Sequence, residues 1–109
     1  MKSYYKIVDE DKPNLFKTLF HGTNKSRILL FNKWLKAEIK DVTDGSCQKP
    51  YKSGWHIAPT YEDCINYLKY FKNTDKKRIV KCKAKNIWKK EHSRGNIFLA
   101  EYIKIEKVV

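Results

Sequence analysis

From Arg78 to Lys85 the chain alternates: Val80, Cys82 and Ala84 fall on one phase, and Lys81, Lys83 and Lys85 on the other. Ile79 is out of step. A period of two predicts a half-buried strand with a basic outer face. A second pattern precedes it. Tyr61, Cys64, Ile65, Leu68 and Phe71 recur at helical spacing, which puts them on one face of a helix over about 60–72. Thr60 is the expected N-cap, Asp63 the acidic arm of a capping box, and Glu62 and Asp63 occupy the first turn. Lys69 and Lys72 would complement the dipole in the last turn. Ser53 to Ala58 reads as a strand that Pro59 ends, so strand runs directly into helix.

Elsewhere the pattern is weaker. Tyr4 to Val8 predicts a strand, and the cluster Asp9-Glu-Asp-Lys-Pro13 a loop after it. Leu15 to Phe20 predicts a second strand leading to His21-Gly22-Thr23. Residues 24–40 fit either one helical face (Ile28, Leu29, Leu30, Phe31, Trp34, Leu35) or a turn followed by a strand from Lys33 to Lys40. Asp41 to Lys52 is polar, contains Gly45 and Pro50, and reads as a mobile loop. Ile87 to Gly95 reads as a charged connection, and Asn96 to Ile105 as a last strand. These elements imply one compact α+β domain over residues 1–109, with five or six mostly antiparallel strands and one main helix.

Composition changes the picture in two ways. The 24 Lys+Arg outnumber the 12 Asp+Glu for a formal charge of +12, which attracts nucleic acid or an acidic protein surface. Lys81, Lys83 and Lys85 are the candidate nucleic-acid contacts, although lysines spread along the whole chain also describe a solvated surface. Cys47, Cys64 and Cys82 form no Cys-x-x-Cys pair, so reduced, structural thiols are expected and no metal site. No apolar run reaches the roughly 20 residues that span a bilayer, and no signal peptide is evident, so a cytoplasmic protein is the expectation.

Three residues stand out for chemistry. His21 ends a strand at a glycine turn. His56 lies beside Trp55 on the strand before the helix. Glu101 falls among Ile97, Leu99, Ile103 and Ile105 on one strand phase, an unusual place for a carboxylate. Histidine titrates near neutrality and can both donate and accept, so two of them can orient a polar ligand. Each also reads as an ordinary structural residue: the histidines as hydrogen-bonded packing, Glu101 as a lysine's partner, and Trp34, Trp55 and Trp88 as core or rim.

Leu19-Phe-His-Gly-Thr23 resembles the first-strand histidine motif of the ADP-ribosyltransferase superfamily. Gly54-Trp-His-Ile-Ala-Pro-Thr60 is similar to the second motif of that superfamily, a strand leading into a helix. His56 then takes a position usually held by tyrosine, as in the RNA 2′-phosphotransferase branch. Glu101 in Leu99-Ala-Glu-Tyr102 is the candidate acidic residue of the third motif. The resemblance implies a transferase-like site for NAD or a phosphorylated nucleotide end. His21, Gly22, Thr23, Trp55 and His56 would hold the cofactor, and His21, His56 and Glu101 would be catalytic. The chain also looks like small phage-encoded proteins of unknown role. That leaves a non-enzymatic binding protein that inhibits or redirects a host factor as an alternative, and nonspecific nucleic-acid binding as a third.

Overall fold

The computed structural model describes residues 2–13, 15–18, 28–44, 47–91 and 95–109, with backbone alone at 11, 42–44 and 47–51. In chain order these form β1 (Tyr4–Lys12), β2 (Leu15–Thr18), β3 (Ile28–Leu29), β4 (Trp34–Lys36), β5 (Asp41–Asp44), β6 (Cys47–Lys52), β7 (Trp55–Ile57), α1 (Tyr61–Leu68), β8 (Lys77–Lys89) and β9 (Phe98–Val108). Seven strands make one antiparallel sheet in the order β3-β2-β1-β8-β9-β4, with β7 also paired to β9. β5 and β6 form a separate ribbon. Beyond β3 the chain crosses to the far edge, where Phe31 bridges Ile105 and the Asn32 amide donates to the Ile105 carbonyl at 2.8 Å. The segment 28–36 therefore pairs with β2 at one end and β9 at the other, and the sheet curls nearly into a barrel.

Two apolar clusters hold the domain. The larger fills the concave side with Val8, Trp55, Val80, Cys82, Ile103 and Ile105 among others. The smaller lies on the opposite side, where Cys64 of α1 packs on Ile7, Ala58, Ile79 and Ile97. Ile79 is out of step with Val80 because it serves this second cluster. Cys64 and Cys82 are buried free thiols, and burial pushes both up to about 12. A radius of gyration of 12.7 Å is what one folded domain of this length has, roughly 13 Å.

The structure changes several expectations. Nine strands and one helix lie among the described residues, so the domain is mostly β rather than evenly α+β. β1 runs on through the acidic cluster, because Asp9 pairs with Lys77 at 2.7 Å and Glu10 with Arg78 at 3.3 Å across the sheet. β5 and β6 pair antiparallel where the sequence reads as a loop, with Asp44 opposite Cys47. Residues 28–40 contain two short strands and no helix, β4 lying in the first half of the strand expected over 33–40. The helix is two turns long, and Tyr61 and Ile65 are exposed at 44% and 38% while Tyr67 packs inward in their place. β8 continues four residues past Lys85, through what reads as a charged connection.

Candidate functional site

β7 is enclosed on both faces, Trp55 and Ile57 in the larger cluster and Ala58 in the smaller. It pairs with β9 through Trp55 opposite Ala100 and His56 opposite Leu99, and Ala58 exchanges two backbone hydrogen bonds with Tyr5 of β1. Thr60 then caps α1: its hydroxyl accepts from the Asp63 amide at 3.1 Å and donates to the Asp63 carboxylate at 2.8 Å. Just before the strand, buried Ser53 ties two segments together. Its amide donates to the Lys40 carbonyl at 2.8 Å, and its hydroxyl donates to the Glu38 carbonyl and accepts from the Lys40 amide. Gly54 follows because nothing larger fits. A Cβ there would stand 3.0 Å from the Ala100 carbonyl oxygen and 3.1 Å from the Trp88 ring. Gly54→Ala is expected to destabilise the fold by about 1–3 kcal/mol through this overpacking, measured by urea unfolding with an unchanged m value.

Glu101 owes its place to a change of phase. Along β8, Val80, Cys82 and Ala84 face the larger cluster, but the next residue to face it is Ile87. On β9 the corresponding set is Ile105 and Ile103, then Ala100 and Phe98. The shift falls at Asn86, whose φ of 55° is left-handed, a region asparagine tolerates better than most residues. Glu101 stands opposite and accepts a hydrogen bond from the Asn86 amide group at 2.8 Å. The carboxylate is therefore not stranded on an apolar phase: the phase itself reverses at this point. Glu101 lines an open groove of about 480 Å³ with Ile39, Lys52 and Trp88. That volume lies within the range of small-ligand sites, and its walls offer an aromatic face, a cation and a carboxylate.

His56 occupies a different space. Its ring is buried, and with Tyr5, Lys6, Cys64, Tyr67 and Ile97 among its neighbours it lines a cavity of about 20 Å³, enough for one water. Lys6 is fully enclosed, its ammonium donating to the His56 carbonyl at 3.0 Å and lying 5.8 Å from the Trp55 ring centroid. Burial lowers this ammonium from 10.5 to about 8. Nothing in the sequence pattern singles out Lys6 beyond its position in an apolar strand.

His56 and Glu101 are thus near neighbours in the sheet, since His56 pairs with Leu99 two residues before Glu101, yet they open to separate spaces. Trp55 lies in the core, 3% exposed, with its indole N–H donating to the Leu35 carbonyl at 2.9 Å. His21, Gly22 and Thr23 lie outside the described residues. Lys81, Lys83 and Lys85 stand on the convex side of β8, Lys85 exposed and the other two half-buried. Ile39 and Lys52 escape a sequence reading, because the Ser53 bridge that gathers them is long-range, and Trp88, read from sequence as core or rim, lines the groove beside them. No group of three metal-binding side chains occurs among the described residues, and none of their helices is long and apolar enough to cross a membrane. No family model matches the chain, and neither does any curated protein or solved structure.

Proposed function

We propose that the protein is a nucleotide-binding domain of ADP-ribosyltransferase-like type, taking NAD or a phosphorylated nucleotide end in the groove of Ile39, Lys52, Trp88 and Glu101. One observation carries the reading. The Gly54-Trp55-His56 strand and the Glu101 strand, 45 residues apart between His56 and Glu101, are hydrogen-bonded neighbours beside a groove of nucleotide size. Trp88 offers a face for the base, Lys52 a cation for phosphate, and Glu101 an acceptor that would polarise a ribose hydroxyl. His56 opens to a separate one-water cavity, so on this reading it supports the strand beside the groove and does not touch the ligand. His21 completes the set on the resemblance alone.

The test is thermal. Millimolar NAD, ADP-ribose or a 5′-phosphorylated dinucleotide is expected to raise the melting temperature by several degrees, as binding at about ten times Kd contributes roughly 1.4 kcal/mol. Glu101→Gln and Trp88→Ala should each remove most of the shift, and nicotinamide release would mark turnover. An unmoved melting temperature with every adenine nucleotide sinks the reading. The alternative, a binding protein without chemistry, gives the reverse pattern: Glu101→Gln is silent, and charge reversal of Lys81, Lys83 and Lys85 abolishes activity.

A further inference from the structure

We propose that the convex face of β4, β9 and β8 is a track for single-stranded nucleic acid, independent of whether the groove takes a nucleotide. The register lays out the face in two rows. Trp34 stands opposite Lys104, and Lys104 opposite Lys83; then Lys36 stands opposite Tyr102, and Tyr102 opposite Lys85. The residues between the rows, Leu35, Ile103 and Ala84, turn inward to the core. Lys81 opposite Lys107 extends the track toward the β9 end. α1 covers this side of the sheet near Ile79, and along the rows Trp34, Lys36, Lys85 and Lys107 are exposed while Lys81, Lys83, Tyr102 and Lys104 are half-buried.

Three features separate this face from an ordinary lysine surface. Like charges stand directly opposite each other at Lys83–Lys104 and at Lys81–Lys107, an arrangement that destabilises a sheet and that a bound polyanion relieves. Cations outnumber acids along the face: Glu106, 3.8 Å from the Lys83 ammonium, stands among Lys81, Lys83, Lys85, Lys104 and Lys107, and the Lys83 ammonium also donates to the Ser3 hydroxyl at 3.0 Å. Aromatic rings are interleaved with the cations: Trp34 is 38% exposed, and the Lys85 ammonium lies 4.1 Å from its ring centroid. A base stacking on Trp34 takes the place of that ammonium, which is then free to swing to a phosphate.

Alternating cations and π-faces on a sheet suit unpaired bases, whose faces are exposed, better than a duplex, whose bases are stacked away. No arginine among the described residues lies on this face, so bidentate reading of bases is absent and binding is expected to tolerate sequence. An acidic protein would use the charges but leave the rings without partners.

Fluorescence anisotropy with labelled 20-nucleotide oligo(dT) and oligo(U), a matched duplex, and polyglutamate as competitor tests the proposal between 50 and 200 mM NaCl. The single strands should bind tighter than the duplex, and log K should fall with log salt at a slope of about −3, as for roughly four phosphates. Lys83→Glu with Lys104→Glu should weaken binding at least tenfold, and Lys83→Gln with Lys104→Gln should do so less strongly should the reversal disturb folding. Trp34→Ala should cost about tenfold. Lys72→Glu with Lys76→Glu, an equal charge change on exposed positions after the helix, should cost under threefold. Duplex binding as tight as single strand, equal competition by polyglutamate, a flat salt response, or equal loss from the Lys72 and Lys76 pair each overturns the track. The NAD-induced melting shift should survive the Lys83 and Lys104 changes, so the two proposals fail separately.

Discussion

Replacing Trp55 with alanine is expected to cost about 3–5 kcal/mol, enough to leave a domain of this size largely unfolded at 37 °C. The side chain is 3% exposed and joins Val8, Val80, Cys82 and Ile103 in the larger cluster. It also links several elements: its own strand β7 pairs with β9, its indole donates to Leu35 of β4, and the Lys6 ammonium of β1 lies over its ring. Trp55→Phe separates packing from hydrogen bonding. Phenylalanine keeps most of the apolar volume but leaves the Leu35 carbonyl without its indole donor, so an intermediate loss of about 1–3 kcal/mol is expected. Chemical denaturation with fixed m value reads both. A Trp55→Ala variant that unfolds at the wild-type midpoint would contradict the placement of this ring. Trp55 is thus a packing residue of the core.

The parts of the fold legible in sequence were those set by local physics. The Thr60 cap needs only a hydroxyl and an amide three residues on, and it stands as expected. The Lys81, Lys83 and Lys85 alternation needs only a period of two, and it places Val80, Cys82 and Ala84 inside. What failed depends on partners far along the chain. The acidic run after Val8 looks like a loop because its lysine and arginine partners lie nearly 70 residues away in β8. Tyr61 and Ile65 satisfy helical periodicity yet face solvent, because only the flank of α1 carrying Cys64, Tyr67 and Leu68 meets the sheet. Glu101 is odd in sequence for a reason that dissolves in three dimensions, since one left-handed asparagine on a neighbouring strand reverses which positions point inward. It nevertheless lines the groove, a position that the phase along β9 alone does not reveal.

The same dependence on distant partners hides Lys6, whose charge gives the last and most distinctive expectation. Its ammonium is buried with a single carbonyl acceptor and an aromatic face, so the folded state disfavours the charged form. The folded value is about 8 against 10.5 for the exposed side chain. Below pH 8 both states carry the proton, and the folded state bears the full penalty, on the order of 3 kcal/mol. Between pH 8 and 10.5 the unfolded chain binds more protons than the folded one, so stability rises with pH across that window. By pH 10 the gain should be about 2–3 kcal/mol, roughly 10 °C or more in melting temperature. Other lysines and tyrosines begin to titrate there, so the measurement is a difference between proteins. Lys6→Met, close in volume and uncharged, should be more stable than wild type at pH 7 and should lose the difference as pH approaches 10. Lys6→Arg cannot shed its proton and should be less stable than wild type throughout, increasingly so above pH 8. Melting curves of wild type and Lys6→Met that run parallel from pH 7 to pH 10 would show that the ammonium reaches water.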